Sequence, residues 1–417
     1  MRAGGPRQAS GRPKLSLRDL RIRFGRREVV WIEALDLWPG EILGLAGESG
    51  SGKSMTALSV LGLAGMLGAQ VEGSIRLDGR ELVNLPEEEW RSIRGRRIAM
   101  IFQSPVSSLH PLLRVGTLFE RTLRLHGVAS KVEARRIAAR AIEAVLLPED
   151  LLDRYPHQLS GGQAQRVAIA MALALRSDVL LADEPTSALD ATVQAGILEL
   201  IDRLRRERGL AYLLISHNLA VVERLCEEIA VMYLGRVVEE GPTAPLLARP
   251  AHPYTVALRS AVPEIDLSRR RSRLLLPGTI PDPANPPPGC HFHPRCPLAI
   301  ERCRTEVPAF REVLPGRKVA CHRAEEVLSG HPMLPPAMGT PAASEVGGSR
   351  GAEVGGASAP PDAYQRHPGH EWGYVISGVL SVTLGFEEYV LQAGDAISFH
   401  SSIPHRLANV GDTPVHA

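Results

Sequence analysis

Gly47-Glu48-Ser49-Gly50-Ser51-Gly52-Lys53-Ser54 fits the phosphate-binding pattern G-x-x-x-x-G-K-[ST]. Its glycines let backbone N–H groups turn inward and approach an anion closely, and a following helix adds the positive end of its dipole. Lys53 would reach the β- and γ-phosphates of a nucleotide, and Ser54 would hold Mg²⁺. Three further positions suit phosphoryl transfer to water. Asp183 closes the apolar run Val179-Leu180-Leu181-Ala182 and would hold Mg²⁺ through water, while Glu184 beside it is placed to polarise the attacking water. Gln103, after Ile98-Ala99-Met100-Ile101-Phe102, could reach the metal or that water. His217, after Leu210 to Ser216, could contact the γ-phosphate. Ser160-Gly161-Gly162-Gln163 opens a helical run and so offers a second anion site.

Short strands must position these groups. Glu41 to Ala46 reads as a buried strand entering the loop, and Ser54 onward as a helix leaving it. The runs ending at Phe102, Asp183 and Ser216 read as further buried strands, with a helix at about 191–208. Strands alternating with helices imply a largely parallel α/β sheet. Its ligand would sit off the carboxyl ends of the strands, where Gln103, Asp183 and His217 lie. Leu15 to Leu37 alternates, as strands with one wet face do. Ser74 to Gly79 reads as a hairpin strand ending in an Asp-Gly turn, and Ile229 to Glu239 as a hairpin around Gly235. Residues from about 106 to 158 or 165 read as a helical insert, with the amphipathic run Lys131 to Leu146. Ser54 to Val71 is uncharged, but its Gly62, Gly65 and Gly68 suit a helix packed on a sheet better than a membrane span.

Length and composition set bounds. A chain of 417 residues should hold two or three domains, and 44% apolar residues are ample for a core. The net charge of +2 favours no nucleic-acid partner. Residues 1–14 look disordered, with no apolar stretch of the export-signal kind, so the five cysteines suit thiols or metal ligands better than disulfides. We divide the rest into 15–245, a Pro-rich region with Cys and His at 246–325, a linker rich in Gly, Ala, Pro and Ser at 326–362, and a small β unit at 363–417.

Leu159-Ser160-Gly161-Gly162-Gln163 resembles the signature of ABC-type ATPases. With the loop, Gln103, Asp183-Glu184-Pro185, Ser187-Ala188-Leu189-Asp190 and His217, every motif of that family is present in order over about 14–245. The resemblance implies a P-loop NTPase (RecA-like) α/β core with a helical subdomain, binding ATP and Mg²⁺. It also implies a head-to-tail pair of subunits in which the signature meets the partner's ATP. Phe24, by its place in the pattern, would stack on adenine. His252-Pro253-Tyr254-Thr255, Gly289-Cys290-His291-Phe292-His293-Pro294-Arg295-Cys296 and Val319-Ala320-Cys321-His322 resemble the C-terminal extension of oligopeptide/dipeptide importer ATPases, "D" type. His110 stands where that family usually has Asn. The resemblance implies a peripheral subunit on the cytoplasmic face of the membrane. Its partners would be a second ATPase, two membrane-spanning subunits and a substrate-binding protein, and the cargo peptides or a related solute such as nickel. A soluble ABC ATPase acting on DNA or ribosomes is the alternative, as is a ligand sensor working through the tail. The first usually carries a second cassette, a coiled coil or a strongly basic patch, and none is visible.

Cys290, Cys296, Cys303 and Cys321 follow C-x5-C-x6-C-x17-C, with no C-x-x-C pair. Four thiolates could hold an iron–sulfur cluster or zinc, and some members of the subgroup carry a four-iron cluster here. Cys226 lies apart and suits a buried thiol. The tail resembles part of a cupin, a partial jelly roll. His367-x3-Glu371-x6-Gly378 and Pro404-His405-x3-Asn409 match its motifs, so His367, Glu371 and His405 could converge on a divalent metal. Gln365 takes the place usually held by the first His, and His370 suits the surface. At about 55 residues the tail is short of strands to close a barrel, and it also reads as a fused or truncated reading frame.

Overall fold

The computed structural model describes residues 11–103, 108–186, 189–261, 276–330, 353–354, 370–375, 377–384, 387–392, 395–400, 405–410 and 415–416. The chain divides into two units, Met1–Ala337 and Met338–Ala417.

The first unit opens with β1 (Leu15–Phe24) and β2 (Arg27–Leu37), an antiparallel pair whose burial alternates as the sequence does. β3 (Ile42–Ala46) is buried throughout and enters the glycine-rich loop, and α1 (Lys53–Val60) leaves it. β4 (Gln70–Leu77), β5 (Arg80–Glu81), α2 (Glu87–Ile93) and β6 (Ile98–Ile101) follow. The insert holds α3 (Val115–Leu125), α4 (Lys131–Ala144) and, after two 3-10 turns, α5 (Gly161–Ala174). Next come β7 (Val179–Asp183), α6 (Ala191–Arg208), β8 (Ala211–Ser216) and α7 (Leu219–Leu225). β9 (Glu228–Tyr233), β10 (Arg236–Pro242), α8 (Thr243–Ala248) and α9 (Pro253–Ser260) complete this run.

The sheet order is β5-β4-β1-β2-β10-β9-β3-β8-β7-β6. β3, β6, β7, β8 and β9 run parallel, as a sheet covered on both faces permits. Alternate residues serve opposite layers. Ile42, Ala182, Tyr212 and Leu214 pack with the insert's Phe119, Leu123, Ala138 and Ile142. Leu43, Leu45, Leu181, Leu213 and Ile215 pack with β1, β2 and α1. Register pairs Ala46 with Ser216, Asp183 with Ile215, and Ile101 with Ala182, so the strands finish along one edge.

The segment after the cassette is built into the same unit. It holds α10 (Glu301–Thr305), β11 (Arg311–Leu314), β12 (Arg317–Val319) and α11 (Ala324–Leu328). β12 extends the sheet from β10, and the buried Arg317 donates to the buried Glu239 at 2.8 Å.

Three expectations are corrected. The helix after the loop stops at Val60 instead of running toward Val71. Gly62 takes φ +66° against Trp90, whose ring a Cβ would meet at 2.3 Å, and the chain then turns into β4. Lys14 is tied into the unit through its amide to Leu37 O at 2.8 Å and its ammonium to Asp78 at 2.9 Å. The stretch read as a linker begins inside α11, and Leu328 O accepts a bond from Arg249 Nε at 2.7 Å. Among the described residues no helix is long and apolar enough to cross a membrane.

In the second unit β13 (Glu353–Val354) pairs with β19 (Val415–His416), and β14 (His370–Tyr374) with β17 (Ala396–His400). β15 (Val379–Leu384) lies between β16 (Glu387–Gln392) and β18 (His405–Asn409). Val375, Leu380 and Val382 form its small core.

Candidate functional site

The glycine-rich loop at 47–52 joins the end of β3 to α1. Gly52 caps that helix at φ +100°, where a Cβ would stand 2.7 Å from Val30 Cγ2. Lys53 is buried and folded back on its own loop, donating to Gly47 O and Glu48 O at 2.8 Å and to Ser51 Oγ at 3.2 Å. Burial lowers its pKa, against the pull of Glu184, Asp183 and Glu48. Burial raises Asp183, which a hydrogen bond from the exposed Ser54 partly offsets. Gly50 sits at φ +79°, and Ser49 and Gly50 are exposed.

The aligned strand ends bring three polar side chains together. Glu184 accepts from Gln103 Nε2 at 3.2 Å, and His217 Nδ1 lies 2.5 Å from its other oxygen. The His217 ring is largely exposed, and the Glu184 side chain only 13%. Glu184 takes φ +49°, with its N–H on Ile215 O at 3.0 Å. Such a backbone stores strain that its surroundings must hold. Part of that hold is Gln165, fully buried on α5, whose amide donates to the carbonyls of Glu184 and Pro185.

Ser160 caps α5 in a capping box. Its Oγ accepts Gln163 N at 3.3 Å, while Gln163 Oε1 accepts Ser160 N at 3.0 Å. Gly161 is exposed and Gly162 half-buried, so this turn faces outward. Phe24 ends β1 half-buried against the core. His110 Nδ1 accepts Leu112 N at 3.3 Å.

Tyr254 and Arg295, which sequence reasoning missed, reach the loop from the segment after the cassette. Glu48 N donates to Tyr254 Oη at 2.8 Å, and Arg295 holds the Glu48 carboxylate at 2.8 and 3.4 Å. Both residues lie in strings that carry a family resemblance, but no periodicity or spacing signals a contact across more than two hundred positions.

Cys290, Cys296, Cys303 and Cys321 gather in one region, where Cys290 N donates to Cys303 O at 2.9 Å. Burial pushes Cys290 up to about 11, and Cys296 and Cys321 up to about 12, with other thiols of the four adding to each shift. The all-sulfur donor set suits iron–sulfur or zinc chemistry. As the side chains stand, no group of three or more His, Cys, Asp or Glu among the described residues is close enough to hold an ion. Cys226 is buried and its thiol is raised by burial. In the tail, Glu371 lies on β14 and the buried His405 on β18, while His367 and Gln365 fall outside the described residues.

Comparison with known proteins joins these observations. The ABC transporter family model matches residues 33–187. The model for the oligopeptide/dipeptide transporter C-terminal region matches 238–303, and the cupin domain model 353–417. A dimeric bacterial ABC transporter cassette, MJ0796, superposes with a TM-score of 0.50 at 32% identity, covering 55% of this chain and 98% of that one. A second structure of it, in a post-hydrolysis state with ADP and Pi, gives 0.50 at 31%. The protein is therefore an ABC-type ATPase. It is 45% identical over 315 residues to a putative peptide import ATP-binding protein of Brucella ovis, covering 75% of this chain and 98% of the relative. It is 44% identical over 320 residues to the oligopeptide transport ATP-binding protein OppD of Escherichia coli, covering 75% and 94%. The chain belongs to this family of transporter ATP-binding subunits, with a cupin-type segment at its C-terminal end.

Proposed function

We propose that this subunit powers uptake of oligopeptides or dipeptides across the cytoplasmic membrane. It would work peripherally on the cytoplasmic face, beside a second ATPase, on two membrane-spanning subunits fed by an extracytoplasmic binding protein. The observation that carries this reading is the match of residues 238–303 to the oligopeptide/dipeptide transporter C-terminal region, whose Tyr254 and Arg295 reach back to Glu48 in the cassette.

In the mechanism we infer, Lys53 leaves the loop carbonyls to meet the β- and γ-phosphates, and amides of the 47–54 loop other than that of Glu48, whose N–H is held by Tyr254, cradle them. Ser54, Asp183 and Gln103 would hold Mg²⁺, which would supply charge neutralisation to the phosphates. Glu184 takes a proton from the attacking water, and His217 and Gln103 keep its carboxylate aimed. Phe24 stacks on adenine. Ser160, Gly161, Gly162 and Gln163 close over the ATP of the partner cassette with the N-terminus of α5. Because Gln103 precedes the insert, loss of the γ-phosphate would shift the insert against the membrane subunits. The four cysteines would bind a [4Fe–4S] cluster or zinc after side-chain rearrangement.

Co-expression with membrane subunits and a binding protein tests the reading. In vesicles, peptide-loaded binding protein should stimulate ATP hydrolysis and peptide entry together. An ATPase that purifies without membrane subunits and ignores the loaded binding protein would overturn it. Iron or zinc analysis of anaerobically purified protein tests the cysteines, and neither metal would leave them as thiols.

A further inference from the structure

Glu48, the second residue of the phosphate loop, has every polar group engaged. Its carbonyl accepts Lys53 Nζ at 2.8 Å and Ser51 N at 3.2 Å. Its N–H donates to Tyr254 Oη at 2.8 Å. Its carboxylate accepts both terminal nitrogens of Arg295, at 2.8 and 3.4 Å. Tyr254 and Arg295 come from 206 and 247 positions further along the chain.

Neither outside partner is a loose surface contact. Tyr254 is fully buried, its ring centroid 4.7 Å from Tyr233 and 5.5 Å from Phe292. The Arg295 side chain is 9% exposed and lies in the turn between Cys290 and Cys296. The Glu48 side chain is 27% exposed, so the pair is partly enclosed and is screened less by salt than a surface pair.

The state of Lys53 gives these contacts their significance. Its hydrogen bonds to Gly47 O and Glu48 O brace the loop from inside. Lys53 cannot keep both while reaching a triphosphate, so nucleotide binding removes that brace. The bonds to Tyr254 and Arg295, with Gly235 N on Ser51 O at 3.0 Å, come from outside the loop and can persist. A loop already held in shape loses less conformational freedom on binding and so binds more tightly.

We propose that Tyr254 and Arg295 are positioning residues for ATP binding, and that through them the cysteine-bearing segment sets the nucleotide affinity of the phosphate loop. This rests on the reading of residues 47–54 as the ATP site. Coupling of this kind is reciprocal, so nucleotide should steady the segment in turn.

The test titrates the full-length chain with a fluorescent ATP analogue and Mg²⁺, and measures ATP turnover in the same preparations. Tyr254→Phe keeps the ring packing and removes the acceptor, and should weaken binding by about three- to tenfold. Arg295→Ala should weaken it by about tenfold or more, with Arg295→Lys recovering part. For both, KM should rise by more than kcat falls, because Gln103, Glu184 and His217 are untouched. Nucleotide should slow hydrogen exchange across residues 290–303 in the parent, and less in Tyr254→Phe. Unchanged affinity in Tyr254→Phe and Arg295→Ala would overturn the proposal. So would a fall in kcat alone, or no effect of nucleotide on exchange across 290–303 in the parent. Lys53→Ala separates the two levels. If it binds as well as the parent, the loop reading itself fails. If it loses binding while Tyr254→Phe and Arg295→Ala keep theirs, only the positioning role fails.

Discussion

Glu184→Gln should leave ATP bound and almost unhydrolysed. The carboxylate accepts from Gln103 Nε2 at 3.2 Å and lies 2.5 Å from His217 Nδ1. A glutamine amide has the same shape. Its oxygen can still accept from His217, and Gln103 can turn its own amide to offer oxygen to the new NH₂. Packing should therefore survive, and only the negative charge is lost. That charge raises the pKa of both Lys53 and Asp183. Without it Lys53 gives up its proton more easily, which weakens the hold on phosphate. Asp183 ionises more easily, which strengthens the hold on Mg²⁺. The two effects have opposite signs and largely offset each other, so affinity should stay within about fivefold, or about 1 kcal/mol. Loss of a positioned base costs about 10²–10⁴ in rate, or about 3–5 kcal/mol of barrier. The assay is single-turnover phosphate release from the assembled complex, beside a nucleotide titration. Parental turnover in a variant that binds ATP normally would remove Glu184 from this role. A variant that loses ATP binding would show that the charge serves the ground state.

Lys53→Ala should cost about 2–3 kcal/mol of ATP binding, the worth of a hydrogen bond from a charged group, and stop turnover; unchanged affinity in an equilibrium titration would contradict it. Arg317→Met should cost about 3–5 kcal/mol of stability, because it leaves the Glu239 carboxylate buried without its cation. Denaturant unfolding reads this, and a loss below about 1 kcal/mol would count against it. Burial holds His252 at about 3, against 6.5 for the free side chain, so between those values the unfolded chain takes up a proton that the folded chain refuses. Stability from this source is complete above 6.5 and falls on acidification by about 1.4 kcal/mol per pH unit. His252→Asn, which keeps a capping side chain at the start of α9, should flatten that slope in melting curves. Cutting the chain after Gly330, beyond the bond from Arg249 to Leu328 O, should leave ATP hydrolysis intact, whereas a folded but inactive product would make the tail regulatory.

Local chemistry was legible in the sequence because it depends on near neighbours. A phosphate loop needs Gly, Lys and Ser within eight positions, and those types admit few other uses. Apolar runs such as Val179 to Ala182 announced buried parallel strands, and the polar residue after each run announced an edge. Ser160 and Gln163, three apart, could be read as the opening of a helix. The end of α1 was not legible, because the Gly62 turn depends on the Trp90 ring packed against it.

What only the tertiary structure decided are contacts between residues far apart in the chain. Strand register sets Gln103 and His217 on one carboxylate, and no one-dimensional pattern carries register between β6, β7 and β8. That Lys53 folds back onto Gly47 and Glu48 is a choice among rotamers set by the packing around it, which no local pattern announces. The sequence by itself set a phosphate-binding pattern at Gly47 to Ser54. Only the fold determined that a tyrosine and an arginine from the cysteine-bearing segment would brace that loop, because such a contact is selected by the shape of the whole unit and leaves no local periodicity.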